Sequence, residues 1–498
     1  MSASAIDYRD LQGVVRFGYK HLRAARYLLL RVRDREAARA WLRQAPVTGA
    51  EFSEPPPPTA LQVALSAHGL EALGVPPGVR AGFSPEFLGG MTEPSRTRRL
   101  GDHGANAPER WQWGGAAGVP HVLVMCFAEP GRLDAFEAGL ADAAWHAAFE
   151  VQRRLETSDL DGVEPFGFLD GISQPWIDWA QASDPATRVL DYSNVSALGE
   201  FVLGYRNEYG KFTDRPVVDA DASSAALPDA LDDAGKKDVG RNGTYLVFRQ
   251  LGQDVRAFWQ FVYQASGGDG RRADQLAAAF VGRTTAGDPL VPASAQPIPG
   301  TGSEPDQVRQ NQFTFDGDPR GVACPFGAHI RRSNPRNTDY PGRPTGVKKL
   351  LAALGGSTKG FRDDLISPAR FHRILRRGRE YGPPLLPTDA IAPAVGTEPE
   401  RGLHFIGLNA NVGRQFEFLQ NAWLASTNFA DLCGETDPLV GTREPAPGCP
   451  ATGEFTRPRA GGPAERVTGL TQFVHMRGGE YFFLPGRQAL RYLAGAGS

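Results

Sequence analysis

Apolar and polar positions along this chain switch repeatedly between a period of two and a helical period, which predicts a mixed α+β protein. Ala25–Val32 has the length and apolar density of a strand. Asp34 follows as a capping residue, and Ala38, Trp41 and Leu42 then share one face of a helix running to about Arg43. Pro55–Pro58 excludes helix and central strand and marks a loop. Leu61–Ser66 predicts a second strand, with a short helix near Leu70–Leu73. Pro76–Gly118 is dense in glycine, proline and arginine and predicts loops. His121–Phe127 is an apolar run of strand length, Arg132–Phe149 has helical spacing, and Glu150–Leu155 predicts another strand.

The second half repeats the theme. Thr244–Arg249 predicts a strand and Val255–Tyr263 begins a helix. Leu403–Leu408 predicts a strand, Val412–Trp423 a helix, and Tyr481–Leu484 a last short strand before the helical Arg487–Leu493. Strands with interspersed helices in each half predict two related α+β units. Asp214–Asp238 and Thr285–Arg309 are rich in loop-forming residues, and the first supplies the boundary: 1–225 and 226–498.

With 498 residues the chain can bury a large core without disulfides. Its net charge of -2 gives no reason to expect a nucleic-acid or membrane partner. None of its 4 cysteines forms a Cys-x-x-Cys pair, which excludes a zinc ribbon, a thioredoxin-type site and thioether-linked haem. Met1–Gly13 lacks a basic region followed by an apolar one, so no signal peptide is expected, and a reducing, cytoplasmic location fits the cysteine usage.

Three segments stand out. Pro165-Phe-Gly-Phe-Leu-Asp-Gly-Ile-Ser-Gln-Pro175 contains Gly167-x-x-Asp170-Gly171. Cys324-Pro-Phe-Gly-Ala-His329-Ile-Arg-Arg-Ser-Asn-Pro335 carries one histidine in a proline-bounded stretch, and Arg373-Ile-Leu-Arg376-Arg377-Gly378 is basic. Each has a plain structural reading alone: a turn, a packed histidine, a solvated face. As an ordered set they resemble the dye-decolorising peroxidase family. The matching segments are Gly167–Gly171, His329–Arg332 and Arg376-Arg-Gly-x-x-Tyr381-Gly382, followed by Gly402–Asn409, Arg414–Gln420 and Gly478–Pro485. The matches run from about residue 165 to 495; the first 150 residues carry no nameable motif. The chain is similar to the family's larger members.

The resemblance implies an α+β fold of two ferredoxin-like units with antiparallel sheets and peripheral helices, and one non-covalent haem b per chain in the C-terminal half. It implies that His329 is the axial iron ligand, since haem iron needs one and a neutral imidazole serves. The ring's other nitrogen should donate to an acceptor, and Glu417 is the candidate, although its helical wheel places it in a polar stripe that also suits an exposed face. Asp170 is implied as the group that takes a proton from one peroxide oxygen and returns it to the leaving one. Arg376 is implied as the cation that stabilises the departing charge; Arg377 is its rival, because neighbouring residues of a strand point to opposite faces. Arg331, Arg332 and Arg336 are candidates for a haem propionate, with Arg332 preferred, or else form a solvated basic loop. The implied partners are hydrogen peroxide and small aromatic reductants, with self-association. The alternatives are a haem carrier with incidental peroxidase activity and a haem-free protein.

Overall fold

The computed structural model describes residues 5–183, 192–338, 369–444 and 453–495. Its main sheet has nine strands. The first half supplies β1 (Ala24–Val32), β2 (Thr59–Leu65), β3 (Val122–Ala128) and β4 (Phe149–Glu156). The second supplies β5 (Thr244–Gln253), β6 (Leu375–Arg376), β7 (Arg379–Tyr381), β8 (Gly402–Asn409) and β9 (Val474–Leu484). The spatial order is β6-β8-β5-β9-β2-β3-β1-β4, with β7 also on β8, and every pairing is antiparallel.

That order contains the same unit twice. Numbered within its half, the first reads 4-1-3-2 from β4 to β2, and the second reads 4-1-3-2 from β9 to the split edge β6/β7. This is the ferredoxin-like arrangement, in which helical crossovers separate the first strand from the second and the third from the fourth. The halves join edge to edge where Phe483 of β9 pairs with Leu65 of β2, so each covers an edge the other would leave open.

The burial pattern follows from this layering. β3 (Val-Leu-Val-Met-Cys-Phe-Ala) is buried at every position, because it is central and covered on both faces. Val122 and Val124 turn to one hydrophobic layer, Leu123 and Met125 to the other. Helix α1 (Arg35–Gln44) lies on the first layer through Ala38, Trp41 and Leu42, and the Asp34 carboxylate caps it by accepting from Ala37 N at 2.8 Å. In the second half α2 (Val255–Ala265) and α3 (Gly270–Val281) pack together through Phe258, Trp259, Val262, Leu276 and Phe280.

Several segments depart from the sequence expectation. Pro76–Gly118 is not all loop: it holds the short helices Pro77–Arg80, Pro85–Gly89 and Pro94–Leu100, each with proline in its first turn. There the missing N–H costs nothing, so proline density marks helix starts rather than breaks. Arg132–Phe149 is two helices, Leu133–Leu140 and Ala143–Ala148, the second capped by Asp142. α3 is an addition that the sequence reading did not contain; Asp269 caps its start by accepting from Arg272 N. Val412–Trp423 is helical but wound as π-helix over Gly413–Glu417 and Leu419–Leu424. Among the described residues no helix is long and apolar enough to cross a membrane.

Candidate active site

A cavity of about 320 Å³ is lined by residues from each of the three sequence segments. The first segment enters as a tight loop. Val163 bridges to Leu169, Asp170 N donates to Gly162 O at 2.8 Å, and Gly167 and Gly171 take φ of 99° and 70°. Those values are cheap only for glycine, so the two glycines that frame the motif are what allow the chain to turn and present Asp170.

The third segment enters as the short edge strand β6, whose residues alternate. Leu375 is buried in the core, while Arg376 lines the cavity. Arg376 Nη1 donates to Asp170 Oδ1 at 2.9 Å and Nη2 to Ser173 O at 3.3 Å, and its backbone N–H is held by Gln174 Oε1 at 3.0 Å. Arg377 points the other way, donating to Val14 O and Val15 O; burial pushes its guanidinium down to about 10. Burial pulls the Asp170 carboxyl upward, but the Arg376 charge, the Gly171 N–H and the Arg376 hydrogen bond outweigh it. Asp170 therefore lies below the ordinary carboxylate value and is ionised at neutral pH.

His329 begins the short helix α4 (His329–Ser333) and lines the same cavity. Its Nδ1 is 2.9 Å from Asp437 Oδ2. The Asp437 carboxylate is fully buried, and its other oxygen accepts from Leu439 N and Val440 N, both at 2.9 Å. Burial opposes charge on the imidazole, but the Asp437 carboxylate more than compensates and the ring's basicity is raised. The carboxylate fixes the tautomer with Nδ1 protonated and leaves Nε2 for the cavity.

Three candidates are corrected. Glu417 is not the partner of His329: its Oε1 accepts from Arg96 Nη1 at 2.8 Å and from Tyr481 Oη at 3.0 Å. Nor is it on an exposed face, being 2% exposed, because the π-wound backbone breaks the 100° spacing that a helical wheel assumes. Arg332 does not face the cavity. It is fully buried and donates to the carbonyls of Trp423, Ser426 and Glu435, bracing the chain behind His329. Arg331 is likewise turned to Asp318.

Four other guanidiniums do reach the cavity: Arg249, which is paired with Asp102, and Arg283, Arg336 and Arg373. The guanidiniums of Arg283, Arg336 and Arg373 donate to neutral oxygens, including Gln310 O, Phe313 O and Ser196 Oγ, and among the described residues no carboxylate lies in ion-pair range of these three. Burial pushes Arg283 down to about 9, with Arg336 and Arg376 adding to the effect. Sequence reasoning missed Asp437, Arg283 and Arg373. Asp437-Pro438 carries only a turn signal, and it lies 108 residues from His329.

Comparison with known proteins gives a consistent result. No family model matches the chain. A multifunctional dye peroxidase of Amycolatopsis sp. is 30% identical over 449 residues, spanning 87% of this chain and 82% of that protein. A dye-decolorizing peroxidase of Auricularia auricula-judae is 27% identical over 516 residues, spanning 97% and 86%. Among solved structures, a dye-decolorizing peroxidase in complex with 2,6-dimethoxyphenol superposes with a TM-score of 0.70 at 23% identity, covering 98% of this chain and 100% of that one.

Proposed function

Because this chain belongs to the dye-decolorising peroxidase family, we propose that its cavity holds one non-covalent haem b, with His329 on the iron and Asp170 and Arg376 serving peroxide. The protein is a haem peroxidase that reduces hydrogen peroxide and oxidises phenolic or dye-like donors. The observation that carries the assignment of roles is the pairing of Asp170 with Arg376 at 2.9 Å in the cavity onto which His329 opens.

The residues present suit a haem. A lone imidazole on the cavity wall, that of His329, suits an iron whose remaining in-plane ligands a macrocycle would supply. Leu169, Ile172, Phe405 and Leu424 give the cavity apolar walls, while Arg283, Arg336 and Arg373 offer unneutralised cations for propionates. Once bound, the haem supplies the iron on which peroxide is activated and two oxidising equivalents are stored.

The chain's own contribution is positional and electrostatic. Asp437 orients His329 and strengthens it as a donor. Asp170, ionised at neutral pH, would accept a proton from one peroxide oxygen and return it to the other as the O–O bond breaks. Arg376 faces the same point and stabilises the negative charge as it develops, while its bond to Asp170 keeps the carboxylate aimed. Small aromatic reductants then return the electrons one at a time. We also propose self-association, a cytoplasmic location, supported by free and buried Cys126 and Cys324, and a division of the chain near residue 225.

Spectroscopy tests the reading. Purified protein should show a Soret band that is absent from His329→Ala. Hydrogen peroxide should shift that band rapidly in the wild type and slowly in Asp170→Asn and Arg376→Leu. A protein with no Soret band, or an Asp170→Asn variant as fast as the wild type, overturns it.

A further inference from the structure

Glu164 has no part in the chemistry above, yet it borders the same cavity as Asp170 and Arg376. Three N–H groups converge on its carboxylate. Oε1 accepts from Phe168 N at 3.0 Å; Oε2 accepts from Phe166 N at 3.0 Å and from Gln253 Nε2 at 2.7 Å. Phe166 and Phe168 flank Gly167, where the backbone turns into the motif, and Gln253 is the last residue of β5. The main chain closes the same loop, with Glu164 N donating to Phe168 O at 2.9 Å and Gly167 N to Glu164 O at 2.8 Å. From α2, Trp259 Nε1 donates to Phe166 O at 2.9 Å.

We propose that Glu164 is a positioning residue for the peroxide step: its carboxylate, tied to β5 through Gln253, clamps the loop that presents Asp170 to Arg376. The inference rests on the roles assigned above to Asp170 and Arg376. A carboxylate is required because both of its oxygens accept from backbone N–H groups that cannot turn over. A glutamine would set its own NH2 against one of them, leaving a buried donor unmet. The clamp is strongest when ionised, since an N–H donating to a carboxylate makes a shorter and stronger bond than one donating to a neutral acceptor. Burial lifts the Glu164 carboxyl to about 7 against the pull of its three donors. Asp170 is the charged group that acts on it, and the neighbours from β5 and α2, Gln253 and Trp259, are neutral.

The test is stopped-flow measurement of the peroxide-induced Soret change in haem-loaded protein between pH 5 and 9. At pH 8, Glu164→Gln should react about ten- to a hundredfold more slowly than the wild type, the scale of a small misplacement of a reacting group. Its Soret band and its KM for a phenolic reductant should be unchanged. Toward pH 5 the difference should shrink, with an inflection near 7, because the wild-type carboxyl then protonates and loses the same acceptor. Glu164→Asp keeps the charge but loses reach, so it should also be slow at pH 8. A Glu164→Gln rate within twofold of the wild type at pH 8, a ratio independent of pH, or a wild-type rate in Glu164→Asp overturns the clamp. Should Glu164→Gln fail to fold, Gln253→Leu decides. It should slow the step and move the inflection upward, since the lost donor had held the carboxyl down; an unchanged profile overturns the proposal. Asp170→Asn separates the two levels. If it is slow while the Glu164 variants are normal, only the clamp fails; if it is normal, the assignment to Asp170 fails.

Discussion

Asp170 and Asp437 are both carboxylates held below the ordinary value by their neighbours, the first half-buried beside Arg376 and the second fully buried beside His329. Asp170 must be a base, and its pairing with Arg376 keeps it ionised below the ordinary value of 3.8. Beneath the inflection that Glu164 sets, the peroxide step should retain a residual Asp170-dependent rate, lost only in more acidic solution, below the ordinary carboxylate value, as Asp170 itself protonates. Arg376→Leu removes the lowering influence, so the acid limb of the pH–rate profile should move upward as well as the plateau falling. Asp437 acts through the ring it holds. Asp437→Asn should weaken haem retention by about ten- to a hundredfold, measured by transfer to apomyoglobin, whereas Glu417→Gln should leave the Soret position unchanged. His329, Asp170 and the Arg376-Arg377 pair were legible as candidates because they sit inside short motifs. The partner of the histidine was not, because nothing local connects positions 329 and 437.

At the scale of elements, the strands and amphipathic helices were legible where periodicity runs unbroken. β1, β3, β4, β5 and β8 lie within a few residues of their expected bounds. Legibility failed where one residue type has two meanings. Proline in Pro76–Gly118 reads as a breaker but acts as a helix starter, and the π-wound Gly413–Leu424 shifts every wheel position. Caps are the element-level feature with a measurable stability. Asp254 accepts from Ala257 N at 2.9 Å and begins α2, the helix whose Trp259 holds Phe166 O. Asp254→Ala should lower the unfolding free energy by about 1 kcal/mol in urea denaturation, with little effect on the m-value.

At the scale of the molecule, two units of the same strand order share one sheet, and both line the cavity, the second supplying the larger share. The first half contributes chiefly the Gly162–Pro175 segment that reaches across to β6. Since haem would bind the folded chain and not the unfolded one, loading should raise the melting temperature. A hundredfold excess over Kd is worth about 2.7 kcal/mol, and His329→Ala should abolish most of that gain in calorimetry. The chain's local order alone determined where most strands and amphipathic helices form, and which short segments offer Asp170, His329 and the Arg376-Arg377 pair as candidates, because periodicity, capping and motif spacing are properties of neighbours in sequence. Only tertiary structure decided that Arg376 rather than Arg377 meets Asp170, that Asp437 rather than Glu417 meets His329, and that Arg332 braces backbone carbonyls. Those outcomes depend on which faces are brought together by strand pairing and packing across the chain, and no local pattern encodes that distance.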